Sequence, residues 1–326
     1  MSFDVILPFL RPIENLIKDP AISEIMVNGP TFVFIERDGQ IEPVPGISIA
    51  EKSLQVAVRN IARALGDEIS EEKPLLDSRL PDGSRVAAVI PPCSVGGTTL
   101  TIRKFHSRFF TAEELVRAGS LSMPLLRCLR AAVEERRNIL ISGGTSSGKT
   151  TFLTALAAFI SDQDRVVLIE DTSEVQMTKP NLVRFEARRE QPSLPAVTIR
   201  DLVRATLRHR PDRIILGEVR GGEAFDLLQA LNTGHSGTLS TIHANSAKQA
   251  LSRFTSCVLQ SGVELPYQAI RANIGDALHL LIHLERRNGR RIVAEVLRLA
   301  RFDPQTDRYI TEPVVALEGA LPCQTT

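Results

Sequence analysis

The chain has no tryptophan and only two tyrosines, and aromatic residues make up 5% of its 326 positions. Its net charge is +1. It therefore lacks both the stacking platforms and the basic field on which single-strand nucleic-acid binding depends, and direct nucleic-acid binding is not expected. Cysteine is scarce too. Cys93, Cys128, Cys257 and Cys323 stand far apart with no Cys-x-x-Cys pair, a spacing that offers neither a zinc site nor a disulfide framework and points to a reducing compartment. Lysines number seven against 32 arginines, and the arginines read as dispersed rather than clustered. No apolar run reaches the length of a membrane span; residues 278–284 come nearest, but the stretch is short and holds His279 and His283. Residues 1–12 carry Asp4 and no basic region ahead of a short apolar stretch, unlike a signal peptide. The protein is expected in the cytoplasm.

What is present is ample for packed cores: 43% hydrophobic and 24% charged residues over a length that suggests about two domains. The first part, residues 1–106, reads as a small α+β domain. Ser48 and Glu51 form a capping box before a helical apolar stripe (Leu54, Val58, Ile61, Ala62, Leu65) that stops at Gly66. Strands are predicted over 31–35, 86–90 and 98–102, with turns at Pro81-Asp82-Gly83 and Pro91-Pro92. Residues 107–122 read as a linker, in which a second capping box, Thr111 with Glu114, opens a short helix ending at Gly119. From 123 to 326 the pattern alternates: strands at 138–142, 166–169, 214–216 and 238–242, helices at 151–160, 197–208 and 224–231. Such alternation predicts an α/β fold, a mostly parallel sheet with helices on both faces. The tail after Glu318 is expected to be loose.

The most specific motif is Gly143-Gly144-Thr145-Ser146-Ser147-Gly148-Lys149-Thr150, followed by Thr151, between a predicted strand and a predicted helix. It fits G-x-x-x-x-G-K-[ST], the phosphate loop of nucleotide-binding proteins. Glycines let successive backbone N–H groups turn inward as a nest for the β-phosphate of ATP, Lys149 adds a cation near the β- and γ-phosphates, and the Thr150 hydroxyl can sit on Mg²⁺. Downstream, residues 213–218 read as a buried strand ending in Glu218, where a P-loop enzyme needs a carboxylate to hold Mg²⁺ through water or to polarise the attacking water. Residues 167–171 repeat that pattern, and Glu170, Asp171 and Glu174 suit metal and water positioning at a sheet edge. His235 and His243 bracket one strand, with His243 at its end beside the site, whereas His279 and His283 read as structural. Arg200, Arg204 and Arg208 share one helix face, which reads as solvated and partly neutralised by Asp201 and Asp212.

Taken together these motifs resemble those of the type II/type IV secretion ATPase superfamily, over nearly the whole chain. Residues 207–221 resemble its Walker B region, 170–174 its acidic box and 234–245 its histidine box; residues 23–29, 80–85 and 101–105 match its N-terminal half. The resemblance implies a RecA-like P-loop domain preceded by the smaller α+β domain, and ATP held between them in a ring-shaped homo-hexamer. It implies that Glu218 activates water, that Glu170 and Glu174 serve Mg²⁺ and water, that His243 contacts the nucleotide site, and that Arg85 and Arg103 reach the phosphates. Partners would be inner-membrane platform or channel proteins of a secretion or pilus machine, with the ATPase peripheral to the inner face of the membrane. The His235–His243 spacing resembles the conjugation, type IV secretion and tight-adherence pilus branch. The alternative in another class is a nucleic-acid-dependent ATPase on the same core.

Overall fold

The computed structural model describes residues 4, 6–37, 39–105, 110–190 and 194–314, and the chain falls into two compact units, Met1–Arg108 and Phe109–Thr326. Cys323, the tail after Glu318 and positions 107–109 of the expected linker lie outside the described residues.

In the first unit a short helix, α1 (Glu14–Lys18), precedes β1 (Ile22–Asn28), β2 (Phe32–Arg37) and β3 (Gln40–Pro43). Helix α2 (Glu51–Ala64) then leads to β4 (Leu75–Arg79), β5 (Arg85–Val89) and β6 (Thr99–Arg103). All the pairings are antiparallel, in the order β3-β2-β1-β6-β5-β4. The helical spacing of Leu54, Val58 and Ile61 meets the period-two spacing of Ile25, Val27, Val86, Leu100 and Ile102 in one buried cluster. Each such side chain contributes about 1.5–3 kcal/mol on burial.

The capping box expected at Ser48 and Glu51 does not form. Ala50 occupies the N-cap with no side-chain bond. Glu51 instead accepts from the buried Thr98 backbone N–H at 3.0 Å and its hydroxyl at 2.6 Å, 47 residues away. Leaving that N–H unpaired would cost more than an exposed helix end that water can serve.

The second unit opens with α3 (Ala112–Arg117), which does carry its capping box, Thr111 with Glu114. Then come α4 (Met123–Glu134), β7 (Ile139–Gly143), α5 (Lys149–Ala157), β8 (Val166–Glu170), β9 (Leu182–Glu186), α6 (Ile199–Thr206) and β10 (Arg213–Val219). They are followed by α7 (Glu223–Asn232), β11 (Leu239–His243), α8 (Ala247–Leu259), α9 (Tyr267–Ala277), β12 (Leu280–Arg287), β13 (Arg290–Asp303) and β14 (Arg308–Pro313). The sheet order is β14-β13-β12-β7-β11-β10-β8-β9. From β12 to β9 every pairing is parallel, and β13 and β14 add antiparallel strands at one edge. Ile214 and Leu216 face one apolar cluster while Ile215, between them, faces the other. Helices therefore cover both sides of an α/β sheet.

Two surface readings need correction. Arg200 and Arg204 both place Nε 2.7 Å from the buried Asp226 on α7. Asp201 is occupied in capping Thr198, and Asp212 accepts from the Arg165 backbone N–H. Nor are the arginines all dispersed: the β12–β13 turn brings Arg286, Arg287, Arg290 and Arg291 to one exposed hairpin tip, with Arg286 paired to Arg291 and Arg287 to Arg290.

Candidate functional site

Strand β7 is buried along its whole length, and the chain leaves it at Gly143 into the glycine-rich loop. Glycine is required at Gly143, where a Cβ would lie 2.6 Å from the Leu284 carbonyl oxygen and also overlap Ser147. Ser146 and Gly148 take positive φ, 58° and 92°, so the loop folds back on itself before α5 begins at Lys149. This alternation of backbone conformations turns N–H groups to one side. Thr145 and Gly144 are exposed, Ser146, Thr150 and Thr151 half-buried. Ser147 is buried, and its Oγ has no hydrogen-bond partner.

Lys149 is buried and donates to the carbonyl oxygens of Gly143 at 3.1 Å and Gly144 at 2.9 Å. Burial lowers its ammonium pKa below the ordinary lysine value, with Glu218 acting in the opposite sense. The Thr150 hydroxyl lies 3.4 Å from Glu174 Oε2.

Parallel pairing brings the other predicted residues to the same edge. His243 at the end of β11 is in register with Gly143. Leu216 of β10 is in register with Ile169 of β8, and beyond it the β10–β11 register shifts between Leu216 and Val219. That irregularity falls on Gly217 and Glu218 and re-aims the carboxylate. Thr241 holds the bend by donating to the Gly217 carbonyl at 2.7 Å. Glu218 Oε1 comes 2.7 Å from His243 Nε2, yet it is buried and has no donor in hydrogen-bonding line. Lys149 Nζ is 3.5 Å from the same imidazole nitrogen. Burial holds the His243 pKa below the usual imidazole value despite the neighbouring carboxylate, which leaves the ring neutral near pH 7.

Glu170 is buried, and one of its oxygens accepts from the backbone N–H groups of Glu174 at 2.8 Å and Val175 at 2.7 Å. It thus braces the turn that carries Glu174. Burial raises its pKa to about 7 against those bonds.

Arg220 was not foreseen. It donates to Glu218 Oε2 through Nε at 2.6 Å and to Asp171 at 2.9 Å, joining the ends of β10 and β8. Its guanidinium pKa is raised: burial opposes the rise, but the Glu218 and Asp171 carboxylates outweigh it. No local pattern marks this residue; only its place two positions after the strand-ending Glu could have drawn notice. Three further histidines bond within the fold: His279 accepts from the Asn138 N–H, buried His283 pairs with Ser142, and His235 sits against the Ala230 carbonyl.

Arg85 and Arg103 belong to the first unit, where they stand directly opposite each other on β5 and β6. Like charges so placed repel. The pair is relieved in part by Asp77, 3.3 Å from Arg85, and by Glu24, opposite Arg103 on β1. Arg79 faces Arg85 on β4, so three arginines form one row across the sheet.

The family described as "Type II/IV secretion system protein" matches residues 9–308. The conjugal transfer protein TrbB of Rhizobium radiobacter is 36% identical over 304 residues, covering 92% of this chain and 90% of its own. The type IV secretion system protein VirB11 of Bartonella henselae is 32% identical over 342 residues, 94% of this chain and 95% of its own. Among solved structures, the Legionella pneumophila ATPase DotB superposes with a TM-score of 0.63 at 20% identity, covering 93% of this chain and 83% of that one, a likeness of fold.

Proposed function

Because the chain belongs to the type II/IV secretion system protein family, we infer that it is the ATP-hydrolysing motor of a conjugative-transfer or type IV secretion machine, built on a RecA-like domain. The observation that carries this reading is the convergence, at the aligned ends of parallel strands, of a phosphate nest, a buried lysine and a carboxylate oxygen without a donor.

The residues divide the work by position. Backbone N–H groups of residues 144–151 would receive the phosphates at the start of α5, where the helix end also favours anions. Lys149 would exchange its carbonyl bonds for phosphate oxygens. Mg²⁺ fits beside Thr150, whose hydroxyl already faces the Glu174 carboxylate, with Glu170 reaching it only through its second oxygen and water; when bound, the ion neutralises charge developing on the phosphates. Glu218, with Oε1 in want of a donor, would align and deprotonate the attacking water, while neutral His243 holds a hydrogen bond beside it. Arg220 fixes the direction of the Glu218 carboxylate. Arg85 and Arg103 would supply cations to the γ-phosphate. The mutual repulsion of these arginines supports an anion-binding role.

A motor of this kind works as a ring of six copies, docked at the inner face of the membrane on platform or channel proteins. Among the described residues no helix is long and apolar enough to cross a membrane. Light scattering with a non-hydrolysable ATP analogue tests the ring: a species near six chains is expected, with turnover that rises with protein concentration. A monomer fully active at every concentration would refute it.

A further inference from the structure

Ser146 holds a backbone φ of 58°, a conformation that residues with a Cβ seldom adopt, and Gly148 follows at 92°. Between them lies Ser147, whose buried hydroxyl has no partner. Inside the loop Lys149 Nζ ties the Gly143 and Gly144 carbonyls, and the Ser147 N–H reaches the Gly144 carbonyl only at 3.5 Å, so the carbonyls these bonds hold lie before Ser146. The Ser146 carbonyl is held from outside the loop.

The hold comes from a distant part of the chain. Strand β12 runs parallel to β7, with Leu284 in register with Gly143, and continues past the point where β7 gives way to the phosphate loop. Asn288 and Gly289, at φ 49° and 79°, turn the chain back tightly into β13. Arg291 therefore arrives beside the loop. Its Nε donates to the Ser146 carbonyl at 3.1 Å, and its Cδ would be 2.9 Å from a Cβ on Gly148. The side chain thus bonds the strained residue and lies against the glycine after next.

We propose that Arg291 is a positioning residue which pre-forms the phosphate nest by fixing Ser146 and Gly148 in their left-handed conformations. The proposal rests on the reading of this loop as the ATP site. It gives the arginine no contact with the reacting atoms; the effect is on the cost of organising the N–H groups, so it appears in affinity and KM rather than in kcat.

The test is displacement of a fluorescent nucleotide by ADP and by pyrophosphate, which shares the phosphate nest but has no nucleoside. In Arg291→Ala both ligands should bind about threefold to tenfold more weakly, the loss of one ordinary hydrogen bond. In a Ser146→Gly background, where the left-handed conformation carries no penalty, the same change should matter less than about twofold. Weakening of ADP alone would place Arg291 on the nucleoside and overturn the proposal. So would unchanged binding of both ligands, or an equal penalty with Ser or Gly at position 146. Failure of the wild-type protein to bind ADP at all would defeat the reading of the site itself, a separate result.

Discussion

Glu218→Gln separates chemistry from structure at this site. The amide has the shape of the carboxylate and still offers Arg220 an acceptor, but it cannot take a proton from water. A positioned general base contributes about 10²-fold or more to kcat, or ~2.7 kcal/mol of barrier. The structural cost is far smaller. The Arg220 side chain is 56% exposed against 15% for Glu218, so water screens the pair from the arginine side, and with the hydrogen bond kept the lost charge costs about 1 kcal/mol. Rapid-quench single-turnover hydrolysis, alongside fluorescent-nucleotide binding and thermal denaturation, reads all three quantities. ATP should bind and persist, with the melting transition close to that of the wild type. A kcat within about tenfold of wild type would refute the assignment. A loss confined to affinity would instead make Glu218 part of the metal surroundings and leave Glu174 as the better candidate.

Glu170 gives stability a pH dependence. Its folded-state pKa is about 7 against 4.5 in the free side chain. Over that interval the folded state holds a proton that the unfolded state has released, so stability falls as pH rises. Relative to Glu170→Gln, whose amide oxygen still accepts the two turn N–H groups, the nucleotide-free wild type should lose about 3 kcal/mol between pH 4 and pH 8 in urea titrations; parallel curves would contradict this. At the opposite end of the sheet, Arg213 pairs with Asp164 at 2.8 Å, both buried. Arg213→Ala should destabilise the fold by about 1–3 kcal/mol: Asp164 keeps Arg136 at 2.6 Å, but the Val133 carbonyl loses its buried donor. A change below about 1 kcal/mol in the same titration would show that pairing to be dispensable.

Local features survived the passage from sequence to structure where local physics decides them. Apolar runs such as 138–142 and 166–169 have few alternatives to buried strands, and glycines at set spacing mark the turn from Gly143 to Thr150. Thr111 with Glu114 caps α3 because both partners lie within one helical turn. The readings that failed depend on distant partners. Ser48 does not cap α2, because Glu51 satisfies Thr98, 47 residues further along the chain. Arg200 and Arg204 pair with Asp226, which belongs to the next helix but one strand later in the chain. The bend at Gly217 comes from the register with β11, which the sequence of β10 cannot express. Arg291 is separated from Ser146 by 145 residues and reaches it only because β12 lies beside β7.

The central claim, that this chain turns over ATP at the loop from Gly143 to Thr150, is tested most directly by phosphate release from the purified full-length protein, measured beside Lys149→Ala. That substitution removes the buried cation, together with its bonds to the Gly143 and Gly144 carbonyls, and leaves the backbone nest in place. The account expects Mg²⁺-dependent phosphate release by the wild type and its collapse in the variant, even where some nucleotide still binds. Near-normal release by Lys149→Ala would contradict it.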